Sequence, residues 1–282
     1  MSTRIHHLSC ATMCPFGGSL FGGDGKPWTT AELCAHVLLI EGADGLTLVD
    51  TGFGLDQATE PKKRLPALFR ANVRPRMSAE QTAIRQLEAL GFGASDVRHI
   101  VPTHLDIDHA GGLPDFPAAE VHVWRPEMEA VQSPGLKEKP RYMKHLFAHG
   151  PKFHPHDVDG DEWMGFEAVR ALPGVDPEIL IVPLPGHTRG HSAVAVKDGD
   201  GWLLHCGDGY FHRDQVQTPA GCPPGLRAFQ AIVGLERKRR LQNEERLREL
   251  NERKGGLDGE VRMFCAHDLE ELERLRSREV GN

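Results

Sequence analysis

Four potential metal ligands lie close together in the segment 103–112, and they are His104, Asp106, Asp108 and His109. The apolar run 97–102 precedes them and predicts a buried strand, and Gly111 and Gly112 predict a turn after them. Polar groups at a strand end are costly to desolvate without partners. A bound cation is the simplest compensation. The same residues also fit a polar turn ahead of a helix, but that interpretation leaves both histidines without a role.

The donor types narrow the choice of cation. Histidine offers a neutral nitrogen and aspartate an anionic oxygen, a mixture that suits Zn, Fe, Mn or Co better than Ca or Mg. The donors are also densely spaced along the chain. An irregular loop with this spacing can present its side chains to two adjacent centres, which a regular helix could not do.

Composition excludes several classes of protein. The 282 residues are enough for a sizeable core in one large or two small domains, and 39% hydrophobic and 26% charged residues are typical of a soluble protein. A net charge of −7 argues against a nucleic-acid partner. The sequence has no apolar run long enough for a membrane span and no secretory-type N-terminus. Six scattered cysteines without a disulfide pattern lead us to expect a cytoplasmic location.

The hydrophobic pattern predicts strands and helices in each half of the chain. Residues 1–30, rich in Gly and Pro, predict a loop or a long hairpin tip, and residues 125–175 predict irregular structure. The predicted strands are 36–41, 46–50, 97–102, 120–124, 178–184, 192–197, 201–206 and 261–265. The predicted helices are part of 56–70, then 79–90, 225–254 and 269–276. Strands followed by helices in both halves favour two β-sheets packed together with helices outside.

Three of the later strands are also followed directly by potential ligands. The strands 178–184, 201–206 and 261–265 lead to His187, Asp208 and His267, respectively. One histidine at a strand end is usually structural. Four strand ends that all carry His or Asp indicate a shared site, provided that these ends lie along one edge of the fold.

These motifs resemble the metallo-β-lactamase superfamily. The cluster at 104–109 is similar to its HxHxDH signature, and further matches follow the family's order at 48–52 (LVDTG), 185–191 (PGHTRGH), 207–208 and His267. The resemblance implies an α/β fold, the αβ/βα sandwich of two mixed β-sheets flanked by helices. It also implies a single domain over residues 1–282, in which 125–175 forms a lid or insert.

The resemblance also implies a ligand set for two divalent metal ions, with Zn preferred and Fe, Mn or Co as alternatives. The first metal would be held by His104, Asp106 and His187, the second by Asp108, His109 and His267, and Asp208 would bridge them. Asp50 would orient a ligand from behind. Asp106 departs from the family pattern, which has a histidine there, and its carboxylate, harder and more negative than imidazole, shifts the preference towards Fe, Mn or Co.

The implied activity is hydrolysis of a lactone or related carboxylic ester in a small organic substrate, as in the lactonase-like members. Asp108 is the candidate proton shuttle and Tyr210 the candidate group facing the oxyanion, although Tyr210 also fits a packing role. Alternatives are a thioester, a β-lactam or a phosphodiester substrate, a diiron redox protein, or a binding module without metal. We expect no nucleic-acid or membrane partner, and a homodimer is compatible with the resemblance.

A second group of histidines has two interpretations. His145, His149, His154 and His156 fit either an accessory metal site or a solvated loop. The sequence alone does not decide between them, and the solvated loop is the simpler interpretation.

Overall fold

The computed structural model describes residues 4–23, 25–157, 159–255 and 259–279. Over these ranges the strands form two six-stranded sheets, one from each half of the chain. Helices flank both sheets. The predicted fold, an αβ/βα sandwich of two mixed β-sheets, is therefore confirmed.

The first sheet has its strands in chain order. They are β1 (Arg4–Met13), β2 (Leu33–Gly42), β3 (Gly45–Val49), β4 (Val97–Val101), β5 (Glu120–Trp124) and β6 (Lys152–His156). The first three strands pair antiparallel, and β3 to β6 pair in parallel. Consequently β3 and β4 end at the same edge of the sheet.

The second sheet has the order β12-β11-β10-β9-β8-β7. Its strands are β7 (Asp161–Trp163), β8 (Phe166–Ala171), β9 (Ile179–Pro183), β10 (Ser192–Asp198), β11 (Gly201–His205) and β12 (Val261–Phe264). β7 to β11 pair antiparallel and β11 pairs in parallel with β12. Because β9 is parallel to β11 through β10, the strands β9, β11 and β12 all end at one edge.

The helices occur between these strands along the chain. They are α1 (Leu55–Thr59), α2 (Pro61–Arg64), α3 (Ala67–Val73), α4 (Ala83–Ala89), α5 (Ile107–Ala110), α6 (Arg125–Gln132), α7 (Pro224–Val233), α8 (Arg237–Lys254) and α9 (Leu269–Glu279). Short 3₁₀ turns occur at Gly18–Phe21, Ala79–Gln81, Ala94–Asp96, Leu113–Asp115, Lys144–Phe147 and Arg213–Val216. None of the helices in the described ranges combines the length and apolar character that crossing a bilayer requires.

The alternation along β2 shows how the layers form. Leu38 and Ile40 belong to a buried cluster with side chains of the second sheet, whereas Val37 and Leu39 belong to a cluster with residues of α4 and α6. Successive side chains of a strand point to opposite faces. The strand is therefore buried on both faces, which explains its nearly continuous apolar sequence.

Three predictions of local structure were wrong in detail. Residues 4–13 form a strand rather than a loop, because they pair with β2 along most of its length. The predicted helix 79–90 is interrupted at Thr82, where a 3₁₀ turn precedes α4. The segment 125–175, expected to be irregular, contains α6 and the strands β6, β7 and β8. Tertiary pairing overrides weak local propensity in each strand.

The predicted helix 225–254 is also broken, between α7 and α8. Gly234 leaves the helical conformation, and the next two amides bond to the loop after β9 instead. Leu235 N–H donates to the His187 carbonyl at 3.1 Å, and Glu236 N–H donates to the Gly186 carbonyl at 2.9 Å. The break therefore supports the segment that carries a predicted ligand. The single-domain assignment and the lid role of 125–175 stay predictions.

Candidate metal centre

Four strand ends bring the predicted ligands together. The segment after β4 carries His104, Asp106, Asp108 and His109, and the strands β9, β11 and β12 lead to His187, Asp208 and His267. Two groups form at this edge of the sandwich, each with donor atoms within 4.8 Å of one another. The first group is His104, His187 and Asp208, and the second is Asp108, His109 and His267.

Asp208 lies between the two groups. Its Oδ2 atom is 3.1 Å from His187 Nε2 and 3.8 Å from His104 Nε2. Its Oδ1 atom is 2.9 Å from His267 Nε2 and 3.3 Å from His109 Nε2. One carboxylate thus presents one oxygen to each group, which is the geometry required of a bridging ligand.

Several of these atoms are buried without a hydrogen-bond partner. They are His104 Nε2, His109 Nε2 and Asp208 Oδ1. Each unsatisfied buried polar atom costs on the order of 1–3 kcal/mol. All three atoms face the same space between the strand ends, and their nitrogen and oxygen chemistry suits a divalent cation of the zinc class. The residues present therefore fit the metal ions that the sequence predicts.

The Nδ1 atoms of His109 and His267, which point away from the two groups, are held by partners behind them. His109 Nδ1 is 2.8 Å from Asp50 Oδ2, and His267 Nδ1 is 2.8 Å from the Cys34 carbonyl oxygen. Asp50 also accepts from the Thr103 amide at 2.7 Å. Such partners fix the ring orientation and leave Nε2 free for a cation. Asp50 therefore occupies the orienting position that the resemblance implied for it.

The close spacing of buried aspartates and histidines shifts the pKa values of these residues. Burial would raise the pKa of Asp208, but His267, His109 and His187 outweigh it and hold that pKa well below its usual value. Burial would lower the pKa of His109, but Asp208 and Asp50 raise it well above the usual value. The pKa of His267 is raised for the same reason, by Asp208. Protons and a cation would therefore compete for these histidine nitrogens.

Asp106 lies beside the first group but is paired with an arginine. Arg141 Nε donates to Asp106 Oδ1 at 2.8 Å, and Arg141 Nη2 donates to Asp106 Oδ2. Burial would raise the pKa of Asp106, but Arg141 and His104 hold it well below its usual value. Asp106 Oδ2 is also 3.2 Å from His187 Nε2. The predicted ligand role of Asp106 thus competes with an internal ion pair.

Sequence reasoning missed Arg141 and two further residues that position the site. Glu127 of α6 accepts from the Leu105 amide at 3.0 Å and from the Gly190 amide at 3.0 Å, so it ties together the loops after β4 and β9. His191 Nε2 accepts from the Asp208 amide at 2.9 Å. Arg141, Glu127 and His191 are each distant in sequence from the groups that they contact. Of these three residues, only the buried His191 had a local signal, because it belongs to the 185–191 motif.

Tyr210 has a different environment from the one predicted. Its side chain is fully buried in the core of the second sheet, and its hydroxyl donates to Glu271 Oε1 at 3.0 Å. Burial and the neighbouring Glu271 raise the pKa of this phenol well above its usual value. This arrangement favours the packing role for Tyr210, and a part in catalysis stays a prediction that the geometry does not favour.

A sandwich of two mixed sheets, with histidines and aspartates converging at the strand ends, is the architecture of a metal-dependent hydrolase. The family model of the metallo-β-lactamase superfamily matches residues 35–267, and the chain belongs to that superfamily. A probable metallo-hydrolase of Mycobacterium tuberculosis is 43% identical over 266 residues, which cover 94% of this chain and 80% of that protein.

More distant relatives share the fold. An N-acyl homoserine lactonase of Bacillus cereus is 24% identical over 273 residues, covering 96% of each chain. The solved structure of a variant of the Bacillus thuringiensis protein AiiA, with N-decanoyl-L-homoserine bound at its active site, superposes with a TM-score of 0.71. It is 20% identical, and the match covers 97% of each chain.

Proposed function

We propose that this chain hydrolyses a lactone or related carboxylic ester of a small organic substrate, using two divalent metal ions, with Zn preferred. One observation carries the proposal. Asp208 presents one oxygen to each of two donor groups, and both groups contain buried histidine nitrogens that lack a hydrogen-bond partner. Such a pair of adjacent centres suits acyl hydrolysis.

The ligand residues follow from the two groups. We assign His104 and His187 to the first ion, and Asp108, His109 and His267 to the second, with Asp208 shared. Bound ions would supply a hydroxide nucleophile at neutral pH and polarise the substrate carbonyl. We leave Asp106 out of this set, because its carboxylate is paired with Arg141 and is available to the first ion only if that pair opens.

Asp108 is the residue that we assign to proton transfer. Its Oδ2 atom lies 3.9 Å from both His109 Nε2 and His267 Nε2, and its side chain is 16% exposed. It is thus the half-buried carboxylate of the second group, within reach of both the site and solvent. A carboxylate so placed can bind the second ion through Oδ2 and use its other oxygen to accept a proton and return it to the leaving oxygen.

The choice of a lactone rests on relatives. A lactonase matches this chain over nearly its whole length, although at an identity that establishes the fold alone. A shared fold does not select a substrate. The proposal therefore names the substrate class and leaves the acyl group open.

The test is a substrate panel on untagged protein loaded with Zn²⁺. The panel contains N-acyl homoserine lactones, simple δ-lactones, aryl esters, a glutathione thioester, a β-lactam and bis-p-nitrophenyl phosphate. We expect kcat/KM for a lactone or ester to exceed that for the other classes by at least tenfold. Asp208→Ala should lower that activity by at least 100-fold.

Preference for the thioester, β-lactam or phosphodiester would overturn the lactone assignment while leaving metal-dependent hydrolysis intact. Full activity in Asp208→Ala would contradict the role of Asp208 as a ligand shared by both ions. A homodimer and a cytoplasmic location stay predictions, as does the absence of a nucleic-acid partner.

A further inference from the structure

Five side chains with metal-binding chemistry gather on one face of β4, β5 and β6, outside the metal centre. They are His99 of β4, Glu120 and His122 of β5, and His154 and His156 of β6. The parallel register places His99 opposite Glu120, and His122 opposite His154. The intervening residues Val121 and Val123 point to the other face, into the core under α4 and α6.

The donor atoms of this cluster approach one another closely. His99 Nδ1 and His122 Nε2 are 3.0 Å apart, and Glu120 Oε2 is 3.9 Å from His99 Nδ1. These three residues present their donors within 4.8 Å of one another. His154 Nε2 is 3.8 Å from the same Glu120 oxygen and extends the set to a fourth donor.

The ring of His122 also has a partner for its other nitrogen. His122 Nδ1 is 3.1 Å from His156 Nε2. Histidines that bind metals characteristically use one ring nitrogen as ligand and give the other to a hydrogen-bond partner. His156 serves as that partner, so His122 Nε2, which faces His99 Nδ1 at 3.0 Å, is the atom that a cation would bind together with His99 Nδ1.

The protonation state of the cluster agrees with this geometry. Burial, with His99 and His156 nearby, lowers the pKa of His122 to about 3. Burial also lowers the pKa of His99 and that of His156. Burial therefore disfavours the charged form of these rings.

We propose that His99, Glu120 and His122 form a further metal site for a divalent cation of the zinc class, with His154 as the fourth ligand. Three imidazoles and one carboxylate match the ligand preferences of Zn²⁺. Glu120 and His154 are about half exposed, at 46% and 48%, so a cation can enter from solvent. The ligands belong to three adjacent strands, and the bound ion would fasten the edge strand β6 to the sheet.

The test measures zinc binding in a background in which both positions of the metal centre are weakened, and its readout is bound zinc, so it does not depend on the proposed hydrolytic function. Untagged full-length protein carrying Asp208→Ala and His267→Ala is dialysed against Zn²⁺, and bound metal is quantified by elemental analysis. We expect one zinc per chain to remain. Adding Glu120→Gln and His154→Ala should weaken that binding by at least tenfold, because two of the four ligands are removed.

The matched control adds His145→Ala and His149→Ala to the same background, which should leave the remaining zinc in place. Thermal unfolding provides a second readout. Zinc should raise the Tm of the background and of the control, but not that of the Glu120→Gln, His154→Ala protein. Glu120 and His154 are half exposed, so their replacement should preserve the fold, which circular dichroism checks. Absence of bound zinc in the background, or binding unchanged by the double substitution, would overturn the proposal.

Discussion

Arg141 places its guanidinium against both carboxylate oxygens of Asp106, and its Nη2 atom is 2.7 Å from His187 Nε2. Both partners are residues that the sequence assigns to the first metal ion. Arginine stays charged at every accessible pH, so its cation is always present at these donors. A metal ion held by the first group, here called the first position, would therefore compete with this guanidinium.

Replacing Arg141 by Gln tests this competition. In metal-free protein we expect a loss on the order of 3 kcal/mol in the free energy of unfolding, because Asp106 keeps a buried charge without its partner. With Zn²⁺ present most of that loss should disappear, and the first position should bind Zn²⁺ about tenfold more tightly. Urea unfolding with and without chelator, together with titration calorimetry, measures both effects.

Arg189→Gln is the matched control for this experiment, because Arg189 pairs with Glu138 rather than with a predicted ligand. Its metal affinities should equal those of the unmodified protein. If Arg141→Gln left the zinc affinity unchanged, the guanidinium would be a support for Asp106 rather than a competitor.

The shared position of Asp208 predicts a specific pattern of metal loss. Asp208→Ala should weaken binding at both positions, because each position loses an anionic oxygen. His187→Ala should affect the first position and His267→Ala the second, each with a loss of one metal per chain. Elemental analysis after dialysis distinguishes these cases, with His145→Ala as control. Equal loss from both positions in His187→Ala would contradict the division into two groups.

Asp50 is expected to act through His109. Asp50→Asn keeps the size of the side chain but removes the charge that orients His109 Nδ1. Loss of such a partner typically weakens metal affinity by about 10- to 100-fold. Competition with a chromogenic chelator measures the change at the second position. Asp115→Asn, which alters a carboxylate bonded to the Leu55 amide, should leave the affinity unchanged.

Tyr210→Phe distinguishes packing from catalysis. If Tyr210 packs, removing its hydroxyl should cost about 1 kcal/mol of stability through the lost bond to Glu271, and the turnover rate should change less than about threefold. A denaturation curve and a steady-state assay on the best substrate measure the two quantities. If turnover instead fell by two orders of magnitude while stability stayed the same, the result would support the catalytic role that the sequence predicts for Tyr210.

Glu271 predicts a pH dependence of stability. Burial and the neighbouring Asp268 raise its pKa to about 8, from an ordinary value of 4.5. Its protonated form is favoured in the folded state, so its stabilising contribution is complete below about pH 4.5 and is lost as pH rises through 8. Glu271→Gln should therefore gain on the order of 4 kcal/mol relative to the unmodified protein between pH 4.5 and 9. Urea unfolding across that range tests the sign, and a constant difference would contradict it.

The candidate ligands could be recognised in the sequence because strand periodicity and a local motif mark them. His187, Asp208 and His267 each follow an apolar run, and apolar runs are recognisable without a structure. Arg141 could not be predicted in the same way. It lies 35 residues from Asp106, and its position depends on how the chain between them folds.

The errors in the fold have a similar origin. β1 has few strong strand-forming residues and is held by its pairing with β2, which local sequence does not reveal. The break at Gly234 falls within a segment of continuous helical character. Its cause is the pair of amides that bond to the loop of His187, an interaction across nearly 50 residues.

That pair of amides has an evolutionary consequence. The position of His187 depends on main-chain donors of residues 235 and 236, and a main-chain donor is supplied by every amino acid except proline. Side chains at these two positions can therefore vary among relatives without moving the ligand. A proline there, or the insertion or deletion of one residue between α7 and α8, would displace it. Among related sequences, residues 235 and 236 should consequently vary in identity, while the length of the segment between α7 and α8 stays constant.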